Sequence, residues 1–128
     1  MFIAGMVFPG LVFPCVSIFL AANNAILFLQ EVPIYLMSFI WGLWNVLYFV
    51  LVKPRIDHVP NTRVVFGLHG VLLGLFVYLF ATLVFHLPIL LGIPSWLAYL
   101  AVLIIPTIYY FVWYYIVVWI NDLLNFHV

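Results

Sequence analysis

The chain has 128 residues, of which 70% are hydrophobic and only 5% are charged, and its formal net charge is zero. A water-soluble domain of this size could not cover its surface with so few charged side chains, so the composition predicts that lipid is the solvent. Each crossing of a hydrocarbon core of roughly 30 Å needs about 20 apolar residues, which limits the chain to four or five spans. The neutral charge balance also argues against a nucleic-acid partner. We expect one multi-pass domain in the lipid bilayer.

Apolar segments separated by polar or proline-containing residues predict an all-α integral membrane protein, a four-transmembrane-helix bundle built from two helical hairpins. The predicted spans are residues 10–30, 34–52, 62–86 and 96–119, followed by an inner-surface tail at 120–128. Gln30 to Pro33 is expected to form the turn of the first hairpin. Asn61 or Thr62 is expected to cap the third span, and Ser95 the fourth.

All positively charged side chains lie in one short polar loop. Lys53, Arg55 and Arg63 fall between the second and third predicted spans. Because basic residues are retained on the cytoplasmic side, loop 53–63 and both termini are expected on that side or its equivalent, giving an N-in, C-in topology. Asp57, His58, Asp122 and His127 could then converge with these basic residues, where we expect a solvated cluster of ion pairs, with metal binding as the alternative.

Small and polar residues form stripes on the first three predicted spans. Lipid provides no hydrophobic drive between helices, so association there depends on close backbone approach and interhelical hydrogen bonds. An antiparallel first hairpin turning at Glu31 would pair Ser17 with Asn45 and Asn24 with Ser38, although each side chain has its own helix backbone as an alternative partner. The residues assigned to helix packing are Ser17, Ala21, Asn24, Ser38, Gly42, Asn45, Gly67, Gly70, Gly74 and Ala81.

The third span contains the GxxxG motif Gly70 to Gly74. Packing against another helix of the same chain is favoured over dimerisation as its role. The inner half of the fourth span is rich in tyrosine and tryptophan, which we interpret as an interfacial aromatic belt, with pigment or quinone stacking as the alternative.

His69 is placed about 10 Å from the inner end of the third span, well inside the hydrocarbon. Ionisable residues at such depths commonly mark functional sites. The candidate roles are an axial ligand to haem or chlorophyll, or a hydrogen-bond donor to a quinone; a neutral imidazole bonded to a neighbouring hydroxyl or carbonyl is favoured. The sequence requires no cofactor.

The sequence contains no HExxH, GxSxG or nucleotide-binding loop, and no pair of carboxylates inside a span, so we expect no enzymatic activity. We expect a non-catalytic small transmembrane subunit of a larger membrane protein complex, because the third span has two faces that require protein neighbours and the loop at 87–94 is apolar. One alternative is a homo-oligomeric small channel or transporter, with the glycine stripe at the subunit interface and Asn24, Asn45 and His69 along a path. The other is haem, pigment or quinone binding by His69.

Overall fold

A computed structural model of the chain describes residues 1–22, 34–56, 58–90 and 92–128. Within these ranges the regular secondary structure is entirely helical, and four helices are long and apolar enough to cross a membrane. The expected all-helical architecture with four apolar helices is therefore confirmed for the described residues. The predicted turn at Gln30 to Pro33 and the pairing of Asn24 with Ser38 lie outside them.

Two of the long helices contain a π-helical segment near their middle or end. The first long helix is Phe2–Ala22 and the third is Thr62–Leu83. The second is α-helical over Ile34–Leu47, π-helical over Tyr48–Val52 and α-helical again over Lys53–Ile56. The fourth is α-helical over Ser95–Phe111, π-helical over Val112–Val117 and α-helical again over Val118–Leu123. A short helix, Leu87–Leu90, lies between the third and fourth.

The first long helix begins at Phe2, well before the predicted boundary near residue 10. The prediction was wrong because Pro9 and Gly10 were interpreted as a helix start, whereas Pro9 and Pro14 both lie inside the helix. The residues from Phe2 to Phe8 are apolar apart from Gly5, and nothing polar interrupts them. Prolines are tolerated inside membrane helices because neighbouring groups satisfy the backbone positions that they free.

Loop 53–63 and both ends of the chain lie together at one end of the bundle, which we call the loop end. The Thr62 hydroxyl donates to the main-chain oxygen of Val128 over 3.0 Å, and the Asn45 side-chain amide donates to the carbonyl of Met1 over 2.6 Å. Residues 84–94, which we call the connector, lie between the third and fourth long helices at the opposite end.

The two predicted helix caps have different outcomes. Asn61 is the N-cap of the third long helix, and its side-chain oxygen accepts from the Val64 amide over 3.4 Å, so this prediction is confirmed. The prediction for Ser95 is wrong, because Pro94 occupies the N-cap position and its carbonyl accepts from the amides of Leu97 and Ala98. Ser95 is already the first residue of the helix.

The tail folds back onto the loop end. The fourth helix continues to Leu123, and Asn125 then adopts a left-handed conformation with φ of 60°. The Phe126 amide donates to the Asn121 carbonyl over 2.8 Å, which is the hydrogen bond of a Schellman C-cap, with asparagine in place of the usual glycine. Phe126 packs against Phe49 with ring centroids 6.1 Å apart. The tail thereby ties the fourth helix to the second.

The core lies in the half of the bundle nearest the loop end. Its buried members come from the second, third and fourth long helices and are mostly aromatic or branched: Trp41, Tyr48, Phe66, Leu73, Trp113, Val117 and Val118. This cluster surrounds the polar residues described next.

Candidate functional site

Two asparagines form a fully buried pair between the second and fourth long helices. Asn45 and Asn121 both have 0% exposure. The Asn45 amide donates to the Asn121 side-chain oxygen over 3.0 Å, and the Asn121 amide donates to the Asn45 oxygen over 3.2 Å. The second hydrogen of the Asn45 amide goes to the Met1 carbonyl, so one side chain joins three helices. Every strong donor of Asn45 is used within the chain.

His69 joins the second and third long helices through a reciprocal pair of hydrogen bonds. Its Nε2 lies 3.1 Å from the Trp44 carbonyl, and the indole Nε1 of Trp44 donates to the His69 carbonyl over 2.9 Å. Because a carbonyl only accepts, Nε2 must carry the hydrogen. The imidazole also stacks on Trp44, with ring centroids 4.9 Å apart. Nε2 is therefore occupied by the protein in this arrangement.

Aromatic side chains from both π-helical segments close around this histidine. Tyr48 and Trp113 lie with ring centroids 5.5 and 5.7 Å from the imidazole, and Phe66 contacts both of them. The Trp113 indole nitrogen is buried without a hydrogen-bond partner among the described residues. Trp113 thus packs in the core, whereas Tyr115 and Trp119 on the same helix are exposed. The interfacial belt stays a prediction for those exposed residues.

The glycine stripe of the third long helix lies against the fourth. A Cβ placed on Gly70 would lie 2.5 Å from Trp113, and one on Gly67 would lie 2.7 Å from Tyr110. One on Gly74 would lie 2.9 Å from the Pro106 backbone. These glycines allow the two helices to approach closely enough for the aromatic rings to rest on bare backbone.

The predicted register of the first hairpin is wrong. Asn45 lies beside Gly5, where an added Cβ would be 2.7 Å from the Asn45 Cβ, and Gly42 lies against Phe2 and Met6. Ser17, the predicted partner of Asn45, is about 18 Å farther along the first helix at 1.5 Å per residue. The error comes from the hairpin turn assumed at Glu31, because Asn45 lies beside a residue 12 positions before its predicted partner.

The remaining residues assigned to helix packing occupy varied positions. Ser17 is buried, and its hydroxyl has no hydrogen-bond partner in the described part of the chain. Ala21 is exposed and Ser38 is half-buried. Ala81 lines a cavity near the connector. Asn24 lies outside the described residues.

The charged residues at the loop end form a small solvated network. Asp122 lies 3.5 Å from the Arg63 guanidinium and 3.4 Å from Nδ1 of His127. Lys53 donates to the His127 carbonyl and lies over the Phe49 ring, and Arg55 donates to the Leu51 carbonyl of its own helix. No group of three or more potential metal ligands occurs among the described residues.

Sequence reasoning missed two residues of this site, Asn121 and Gly5. Asn121 was assigned to a surface tail, yet Trp113, Val117 and Asn121 are spaced four residues apart and therefore share one helix face. Following that face from the tryptophan past residue 119 would have placed Asn121 in the core. Extending the apolar run back to Phe2 would have placed Gly5 inside the first helix, where it can contact the second.

The arrangement is suited to holding helices together. Its amide and imidazole groups are bonded to one another or to backbone, and aromatic rings cover them. Comparison of the chain with models of known protein families, with curated proteins and with solved structures found no match. Functional inference therefore rests on the geometry of this chain.

Proposed function

We propose that this chain is a non-catalytic small transmembrane subunit of a larger membrane protein complex, in which it stabilises or scaffolds its partners. The observation that carries the proposal is the bare second half of the first long helix. From Gly10 to Ala22, Ser17 is the only buried residue among the side chains that the structure describes. Leu11 and Ile18 are 68% and 71% exposed. A helix of a self-contained bundle would cover one face along its whole length, and this one is covered mainly near the loop end.

The bare half also contains a backbone feature that suits a protein neighbour better than lipid. Pro14 has no amide hydrogen to donate to the carbonyl of Gly10, four residues earlier. Gly10 also lines a groove of about 410 Å³ together with Ile3, Met6, Val7 and Leu11. A carbonyl without a donor costs several kcal/mol in hydrocarbon. A partner helix with a donor at this depth would fill the groove and satisfy the carbonyl.

The internal packing weakens one reason for this proposal and both of its alternatives. The glycine face and the His69 face of the third helix both have neighbours within the chain, so neither calls for another subunit. The same contacts remove the glycine stripe as an interface for a homo-oligomeric channel, because Gly70 is covered by Trp113. They also occupy the Nε2 of His69 that haem or chlorophyll would need. The case for a partner rests on the first helix.

We also propose that the loop end faces the cytoplasm or the equivalent inner side. Lys53, Arg55 and Arg63 all lie at this end, and the chain has no other lysine or arginine. Basic residues in short loops determine orientation during insertion. Both termini would then lie on the same side.

A photo-crosslinking experiment in native membranes tests the subunit proposal. A photoreactive amino acid is placed at Leu11 and, as a matched control, at Leu103 on the fourth long helix; both leucines are 68% exposed. We expect a discrete adduct with a different, larger polypeptide from position 11 and only lipid adducts from position 103. Gly10→Trp, which fills the groove, should remove the protein adduct, whereas Leu103→Trp should leave it.

Three results would contradict the proposal in different ways. Lipid adducts alone from both positions would show that the first helix faces the bilayer. An adduct with a second copy of this chain would favour the homo-oligomer. Visible absorbance of the purified protein that disappears in His69→Ala would favour the cofactor site.

A further inference from the structure

Two adjacent cavities that share five lining residues, which we call the joined cavities, lie between the third and fourth long helices beneath the connector. The inner cavity, which lies deeper between the helices, has a volume of about 230 Å³. The outer cavity, which lies at the connector, has a volume of about 250 Å³. Both are bounded by Tyr78, Thr82 and Ala98 on the helices and by Pro88 and Ile93 on the connector. They are separate from the buried asparagine pair and from His69, which lie toward the loop end.

The inner cavity is lined by small side chains, whereas large aromatic side chains fill the space between the same two helices nearer the loop end. Near the loop end, aromatic rings of the fourth helix rest on the glycines of the third; here Ala81, Ala98 and Ala101 face the space. The Tyr78 hydroxyl donates to the Ala98 carbonyl over 2.8 Å and holds the two helices together at this level. The rest of the wall is aliphatic, from Leu97, Ile104 and Ile105.

The outer cavity adds polar groups at its mouth. Its lining includes His86 and Ser95, neither of which lines the inner cavity. His86 is exposed and adopts a left-handed backbone conformation with φ of 48°. The joined space therefore runs from an apolar interior to a polar opening at the connector.

We propose that these joined cavities hold one acyl chain of a membrane lipid, with the polar headgroup at His86 and Ser95. Water is a poor occupant, because it needs two to four polar partners and the inner wall is aliphatic. An apolar cavity of about 150 Å³ binds benzene, so the inner cavity of about 230 Å³ accommodates a longer apolar group. A transmembrane helix is about 10 Å wide and cannot enter.

The position along the bundle agrees with a lipid whose headgroup lies at the membrane interface. Trp96 and Tyr99 are 63% and 76% exposed beside the mouth, and such amphipathic rings concentrate at headgroup level. The acyl chain would then extend toward the bilayer centre between two helices. It would complete the packing of the third and fourth helices where no glycine contact joins them.

The test uses the purified chain in vesicles of equal parts phosphatidylcholine and phosphatidylglycerol, with each lipid supplied in turn with a diazirine on one acyl chain. After irradiation, labelled residues are mapped by mass spectrometry. We expect label on the cavity-lining residues of the 97–105 segment in excess of label on Leu103, which is exposed on the same helix. Ala101→Leu fills the inner cavity with its own side chain. An acyl chain that entered would overpack the site, so the label should fall about fivefold or more.

Ala21→Leu makes the same chemical change at an exposed position and should leave the cavity label unchanged. If Ala101→Leu does not fold, Ala98→Leu blocks the same space, and its side-chain change leaves the Tyr78 bond to the main chain possible. Unchanged cavity label in a folded filled variant, or wild-type label spread equally over Leu103 and the cavity, would overturn the proposal. Unchanged label in His86→Ala would overturn the assignment of the headgroup.

Discussion

The amide pair between Asn45 and Asn121 shows how a few polar residues determine the arrangement of apolar helices. Apolar side chains interact with lipid about as well as with one another, so they specify register weakly. A buried amide, in contrast, finds its partners at only one depth and rotation. Here the pair fixes the second helix against the fourth, and the bond to the Met1 carbonyl fixes the first helix against both.

A double-mutant cycle tests this pairing. Asn45→Ala and Asn121→Ala each leave the other amide buried without its partner, and the coupling energy between the two side chains should be about 0.6 kcal/mol and at most about 1.7 kcal/mol. The double variant should cost less than the sum, because no orphaned amide remains. Unfolding measured in mixed micelles gives the three free energies. Strictly additive effects would show that the two side chains are not coupled.

A separate prediction concerns the His69 contact. Substitution by glutamine tests whether His69 stabilises the fold by donating an N–H to the Trp44 carbonyl. A glutamine side chain at this position retains an N–H that reaches toward the Trp44 carbonyl, whereas a leucine side chain has none. We therefore expect His69→Gln to keep most of the stability and His69→Leu to lose about 0.6 kcal/mol and at most about 1.7 kcal/mol, the average and the maximum for hydrogen bonds between membrane helices. Thermal unfolding in detergent, read by tryptophan fluorescence, measures both. Equal losses in the two variants would argue against a hydrogen-bonding role for this imidazole.

At the scale of the helix, glycines determine where the long helices touch. The first and second meet where Gly5 approaches the Trp41 carbonyl and the Gly42 Cα, and the third meets the fourth along Gly67, Gly70 and Gly74. These are contacts of bare backbone with backbone or aromatic rings. Both seams lie toward the loop end, where the core is also densest.

Alanine substitution at two glycines provides a matched test of these contacts. A Cβ at Gly70 would lie 2.5 Å from Trp113, whereas one at Gly10 has nothing within 4 Å. Gly70→Ala should therefore destabilise by about 1–3 kcal/mol through overpacking. Gly10→Ala should be neutral or stabilise by up to about 1 kcal/mol, because alanine is the better helix former. Similar effects of the two substitutions on unfolding in mixed micelles would contradict the close helix contact at Gly70.

The sequence predicted the four long apolar helices found among the described residues and the Asn61 cap, because each depends on local composition or spacing. It could not predict the register of the first hairpin, since sliding one apolar helix along another changes little in hydrophobic burial. Register depends on which polar side chains meet, and the partner of Asn45 is Asn121, far away in sequence. The misplaced helix start at Pro9 and Gly10 had a separate origin: proline marks helix ends in water more reliably than in lipid.

For the whole molecule, packing quality changes from one end to the other. The loop-end half contains the aromatic core, both polar contacts and the folded-back tail, whereas the connector half contains the joined cavities and the bare part of the first helix. Stability is therefore concentrated near the loop end. The surfaces proposed to bind a partner and a lipid both lie in the connector half, where a bound partner or lipid would displace no contact within the chain.

The orientation of the molecule can be tested by cysteine labelling, starting from a Cys15→Ser background that removes the exposed native thiol. His58→Cys places a thiol in the polar loop, and Ile89→Cys places one on the connector, where Ile89 is 79% exposed. Because three basic residues flank or occupy the loop, we expect a membrane-impermeant maleimide added outside intact cells to label position 89 and not position 58. Permeabilised cells should label position 58, which shows that its thiol is reactive. A partner or lipid on the connector would protect position 89, so the decisive result is position 58: its labelling in intact cells would place the loop end outside and overturn the N-in, C-in orientation.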